Sequence, residues 1–234
     1  MLFYILFNNL YSSPEEAVIS FVITMLVFMF ALSIHEFSQG LAAYQMGDIT
    51  PKAQGRLTLN PFKHVNGAGF LAFALLGVGW ANPMAINPTN FKNYRKGIRW
   101  VSFAGVLGLL ICGLLCAGVY GLLMRFVGVP NVFMQYVYVT LQTCMVVNSC
   151  LIMFNLLPIF PLDMFTFIST YMKGSNKFLQ FSIRNRFNIL ITILLVALLV
   201  EVLFGFQILS WYLTSLESYV FWPIASLLGF GVVL

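Results

Sequence analysis

Residues 17–39 read AVISFVITMLVFMFALSI followed by HEFSQ: eighteen residues without a charge, Ala17 to Ile34, running straight into a histidine–glutamate pair. An uncharged apolar run of this length crosses a bilayer as a helix. Ser13 and Pro14 ahead of it, with Glu15 and Glu16 in its first turn, mark a helix start. Residues 1–16 hold no lysine or arginine, whereas a cleaved signal peptide carries a basic region before its apolar core. The run is therefore expected to be a retained span. The whole chain agrees: its 234 residues are 60% apolar and 8% charged, with a mean hydropathy of +0.91. A soluble domain carries about 25% charge. This composition excludes a soluble enzyme, a disordered chain and a nucleic-acid binder, and no ten-residue alternation suggests an outer-membrane barrel. The expected fold is an all-α membrane protein: one polytopic bundle of five to six transmembrane helices over residues 1–234.

Further runs follow. Residues 67–86 are apolar, carry glycine at 67, 69, 77 and 79, and lie between two basic loops, one with Lys52, Arg56 and Lys63, the other with Lys92, Arg95, Lys96 and Arg99. Basic flanks on both sides suggest a re-entrant or irregular element, which needs protein or a water-filled cavity around its backbone; a single tilted span is the alternative. Trp100–Phe126 and Val132–Leu157 read as an antiparallel hairpin turned by Gly128 and Pro130. A third basic segment carries Lys173, Lys177, Arg184 and Arg186, before runs at Asn188–Phe206 and Trp211–Leu234. If 67–86 re-enters, all three basic segments share one side, which the positive-inside rule makes the cytosol. The net charge of +5 thus reads as a topology signal, with Arg125 alone on the far side and the N-terminus outside. Cys112, Cys116, Cys144 and Cys150 fall within apolar runs and read as small buried hydrophobes.

Ionisable groups inside spans are functional candidates by default. The acids in question are Glu36, Asp163, Glu201 and, at a span edge, Glu217; the chain has two histidines, His35 and His64. The topology sets His35, Glu36 and Asp163 at one membrane depth. The five residues His35-Glu36-Phe37-Ser38-Gln39 stop one residue short of H-E-x-x-H, in which two histidines on one helix face bind zinc and the glutamate activates a water.

With that near-match, Asn155-Leu156-Leu157-Pro158-Ile159-Phe160-Pro161-Leu162-Asp163 resembles the asparagine–proline–leucine–aspartate signature of the site-2 protease family. Gly47-Asp48, residues 55–61 (GRLTLNP), residues 79–83 (GWANP), Asn87-Pro88 and residues 90–93 (NFKN) resemble that family's intervening segments, so the resemblance covers about residues 20–170 in the order of the short bacterial members. It implies an intramembrane zinc metalloprotease of the bacterial inner membrane, its active-site residues towards the cytosol, whose partners are the bilayer and transmembrane segments of other membrane proteins. It implies His35 as first zinc ligand, Asp163 as third and Glu36 as general base. It also makes Asn155, Pro158, Asn60 and Gly79 candidates for the substrate cleft.

The pattern breaks at Gln39, which stands where the second histidine belongs. A neutral carboxamide oxygen is a poor substitute for imidazole on zinc, so zinc is expected to be weak or absent. Other departures are Leu109 where the family has an asparagine, Met164 after the aspartate, and Asn82 for a lysine. The leading expectation is a protease homologue that binds transmembrane segments and is impaired or inactive in cleavage. One alternative is an active zinc endopeptidase in which Gln39, water or His64 completes the site. Another is a small ion or proton transporter using Glu36, Asp163 and Glu201.

Overall fold

The computed structural model describes residues 14–77, 79–174, 176–204 and 208–229. Its first helix, α1, spans Pro14–Gln45 and carries the decisive stretch in one unbroken rod. A short α2 (Thr50–Ala53) and a 3₁₀ turn (Pro61–Lys63) lead to α3, Gly67–Leu76. A second 3₁₀ turn (Pro88–Asn90) precedes α4, Tyr94–Phe126, and α5, Val132–Asn155. Then come α6 (Asp163–Ser169), α7 (Lys177–Arg184), α8 (Arg186–Phe204), α9 (Ile208–Leu216), a π-turn at Glu217–Phe221 and α10 (Trp222–Gly229). The described chain has no strand.

Asparagine starts several of these elements. Asn66, Asn93, Asn131 and Asn176 each accept a backbone N–H from the first turn of the helix that follows. The side-chain oxygen satisfies a donor that has no partner within the helix. Helix α3 ends at Gly77, whose φ of 75° closes the helix in the left-handed region.

Among the described residues, α1, α4 and α5 are long and apolar enough to cross a membrane. At 1.5 Å per residue, 24 residues of α5 reach about 36 Å and 33 of α4 about 50 Å, more than the roughly 30 Å hydrocarbon core. The chain is thus a helical membrane protein. A fourth long helix, α8, has 19 residues; the side chain of Glu201 within it, and residues 205–207 and 230–234 of the last expected runs, lie outside the described part.

Helix α4 is the pillar, packed on α1, α5 and α10. It makes these contacts through small residues. A side chain at Gly108 would collide with Ser38, at Gly113 with the Phe221 ring, and at Gly121 with the Ala225 carbonyl. Small residues let backbones approach closely where lipid supplies no hydrophobic drive. Ser149 Oγ on α5 donates to the Leu213 carbonyl at 2.9 Å and accepts the Glu217 N–H at 3.0 Å. The hydroxyl stands inside what would be the Leu213–Glu217 helical bond, and the π-turn begins there.

Residues 67–86 turn back on themselves. The ten residues of α3 cover about 15 Å, half of a hydrocarbon core. Beyond Gly77 the chain returns until Ala81 pairs with Val65, and the Asn82 N–H donates to the His64 carbonyl at 2.7 Å. The returning strand of chain crosses α3 where both sides lack a Cβ: one on Gly79 would lie 2.5 Å from the Gly69 carbonyl, and one on Gly69 would strike Trp80. Phe28 of α1 stacks on Phe73 of α3, fastening the loop to the bundle.

Candidate active site

His35, Glu36 and Gln39 project from consecutive turns of α1, and Asp163 opens α6, 128 positions away from His35. The fold brings them together. His35 Nε2 lies 2.8 Å from Asp163 Oδ2, and Gln39 Nε2 donates to Asp163 Oδ1 at 2.7 Å. Both oxygens of one carboxylate are thereby engaged by side chains four residues apart on one helix, the i, i+4 spacing that faces both the same way. Glu36 Oε1 sits 3.8 Å from His35 Nδ1, while Glu36 Oε2 is buried with no hydrogen-bond partner. His35 and Glu36 are 8% and 7% exposed, so the group is shielded from bulk solvent.

The wall behind the group is Gly105. A Cβ there would come within 2.6 Å of His35 Nε2 and 2.9 Å of Gln39 Nε2, so a larger residue would push these hydrogen-bonded side chains aside. Leu109, one turn on, is wholly buried.

The other site candidates are used differently. Asn155 Nδ2 donates back to the Leu151 carbonyl at 2.9 Å, and Pro158 is exposed in the turn leading to Asp163. Asn60 is exposed and accepts the Phe62 N–H, capping a 3₁₀ turn. Gly79 sits at the crossing with α3. His64 is fully buried, with Nε2 2.7 Å from the Thr58 carbonyl of its own loop. Glu217 is tied through its backbone to Ser149 and through its carboxylate to Ser218 Oγ.

Two clamps in the loops escaped sequence reasoning. Asp48 is completely buried and accepts the Thr50 N–H and Oγ1, the Asn87 N–H and Asn90 Nδ2, at 2.6–3.1 Å. Burial alone would raise its pKa, but the hydrogen bonds from Thr50, Asn87 and Asn90 prevail and hold it below the ordinary carboxylate value. Arg56 donates to the carbonyls of Asn82 and Pro83, both at 2.7 Å. The signal for Asp48 was present locally, since an aspartate two residues before a threonine favours a side-chain turn, but its partners at 87 and 90 are distant in sequence.

As a metal centre, the group supplies one imidazole, one carboxylate and one carboxamide. Catalytic zinc takes three protein ligands of the histidine, cysteine or carboxylate kind and keeps a fourth position open. Gln39 presents its N–H to Asp163, because its oxygen would repel a carboxylate oxygen at that distance. The donor set is one strong ligand short.

Comparison with known proteins gives two relatives. The chain is 36% identical over 148 residues to "Putative zinc metalloprotease YwhC" of Bacillus subtilis, a stretch covering 61% of this chain and 64% of that protein. It is 31% identical over 111 residues to "Putative zinc metalloprotease Rip2" of Mycolicibacterium smegmatis, covering 45% and 42%. The match thus spans less than two thirds of either relative. No family model matches, and no solved structure does. These likenesses support the resemblance to site-2 proteases: the chain is a helical membrane protein similar to proteins named zinc metalloproteases.

Proposed function

We propose that this chain is a site-2-protease-like protein that grips transmembrane segments of other membrane proteins and cleaves them slowly or not at all. The observation that carries the reading is the Gln39–Asp163 hydrogen bond at 2.7 Å. With His35, it engages both oxygens of the carboxylate inside the protein and ties α1 to α6. The residues do not fit zinc as a catalytic centre requires, because a carboxamide stands where the second strong ligand belongs.

Gripping has its own supports. Glu36 Oε2 is a buried acceptor without a partner, available to a donor from an incoming backbone. The folded-back segment 67–86 lies against α1, with Phe73 on Phe28 and Met84 beside Gly40, and the exposed Pro158 lies in the turn that leads to Asp163. Backbone that doubles back in this way suits an element dipping into the membrane where protein covers it. The three basic segments lie at one end of the bundle, where α1 ends, α4 begins and α5 ends, with Arg125 at the other. By the positive-inside rule that end faces the cytosol of a bacterial inner membrane. Together with α8 and the 208–229 stretch, the bundle would have five spans.

The relatives' names favour a second reading, an active zinc endopeptidase with Gln39 or water completing the site. One experiment separates the two. A photo-cross-linking residue at Pro158 in native membranes should capture full-length single-span proteins, equally in the Glu36→Gln background. Truncated partners that become full-length on Glu36→Gln would establish cleavage and overturn the binding-only reading.

A further inference from the structure

Three cysteines outside the His35 group converge inside the bundle. Cys112 and Cys116 lie one turn apart on α4, and Cys144 faces them from α5. Cys116 Sγ is 3.1 Å and Cys112 Sγ 3.9 Å from Cys144 Sγ, and all three sulfurs fall within 4.8 Å of one another. Thiolates bound to one ion at about 2.3 Å stand about 3.8–4.0 Å apart. The observed spacings bracket that value, so an ion needs only small side-chain adjustments.

A second feature points into the cluster. Asn148, fully buried, directs its Nδ2 at Cys144 Sγ (3.3 Å) and Cys112 Sγ (3.9 Å), while also donating to the Cys144 carbonyl. Its Oδ1 is buried with no partner. A carboxamide with an unmet acceptor is costly among apolar helices. Donation to sulfur is what stabilises a thiolate, and it returns part of that cost once a thiol loses its proton.

The geometry points to a three-sulfur site for a soft, closed-shell cation, Cu(I) foremost. Thiolate sulfur selects Cu(I) and zinc over harder ions. Structural zinc sites are almost always four-coordinate and use cysteine or histidine; no fourth such residue joins this cluster among the described residues. Three donors leave zinc short. Binding replaces thiol protons by the ion and releases them to water, with no change of oxidation state. The site is distinct from the His35 group: Gly105, which backs that group, precedes Cys112 by two turns of α4, about 10 Å.

The test is anaerobic titration of the detergent-purified chain with Cu(I) against the chromogenic chelator bicinchoninate. The expected result is one Cu(I) per chain, at least tenfold weaker in Cys144→Ser and in Cys112→Ser/Cys116→Ser, and unchanged in Cys150→Ser and Asp163→Asn. In the unaltered protein, Cu(I) should slow maleimide modification of Cys112, Cys116 and Cys144 and leave the rate at Cys150 as it is without Cu(I), a readout that needs no variant to fold. Equal Cu(I) affinity in Cys144→Ser and Cys150→Ser, or loss of binding in Asp163→Asn, overturns the proposal. Tetrahedral Co(II) with thiolate charge-transfer bands, in place of Cu(I) binding, overturns the choice of ion.

Discussion

Replacing Asp48 by alanine removes the acceptor for four hydrogen bonds at a position with no solvent access. The Thr50 hydroxyl can rotate to another acceptor, but the Thr50 N–H, the Asn87 N–H and the Asn90 amide are left facing a cavity. A stranded buried donor costs about 1–3 kcal/mol, and some relief comes from backbone movement and entering water. The net loss should be about 3–5 kcal/mol, a large part of the 5–15 kcal/mol that stabilises a typical domain. Much of it should appear locally, because Asp48, with the Lys92 N–H on the Met46 carbonyl, holds the end of α1 to the loop before α4. Limited trypsinolysis in detergent at Lys92 and Arg95 should therefore accelerate by at least tenfold, before α1, α4 and α5 separate. The same bonds set a pH dependence. Since the folded Asp48 has a lowered pKa, its contribution is complete above the unfolded value of about 3.9 and declines as pH falls through the folded value. Wild-type protein should lose loop protection in that acid window, and Asp48→Asn should flatten the dependence. Cleavage at Lys92 unchanged in Asp48→Ala would refute the clamp.

Gly105→Ala places a methyl against His35 Nε2 and should cost about 1–3 kcal/mol as an overpacking change, read as a lowered thermal midpoint in detergent, with a displaced His35 imidazole signal by NMR. Gly79→Ala meets the Gly69 carbonyl and Phe73 Cβ, so the 67–86 segment should reopen and Lys63 become protease-sensitive while the α4–α5 hairpin stays protected. Ser149→Ala deletes the hydroxyl between Leu213 and Glu217 and should destabilise by about 1–2 kcal/mol; an unchanged unfolding midpoint would mean the helix simply closes its own bond.

What could be read from the chain was what repeats locally. The apolar runs at 17–34, 100–126 and 132–157 became α1, α4 and α5, because length and hydropathy suffice to fix a span, and Gly128 with Pro130 turned the hairpin. The meeting of His35 with Asp163 followed from membrane depth, a one-dimensional coordinate that topology supplies. Contacts within a plane of the membrane have no such coordinate. Hence the Gly69–Gly79 crossing explains a glycine pattern that sequence alone suggested only as irregularity. The Ser149 insertion was hidden because serine in an apolar helix usually bonds its own backbone. The cysteines read as filler one by one; only the facing of α4 and α5 turns an i, i+4 pair and a third residue into a cluster.

Gln39 decides between binding and cleavage, and the deciding measurement is the zinc content of the detergent-purified protein beside its Gln39→His variant. The binding-only account predicts well below one zinc per chain in the wild type and close to one in Gln39→His, since the histidine supplies the missing ligand to His35 and Asp163. Stoichiometric zinc in the wild-type protein, lost on Asp163→Asn and retained on Cys144→Ser, would contradict it and place a working metal centre at this site.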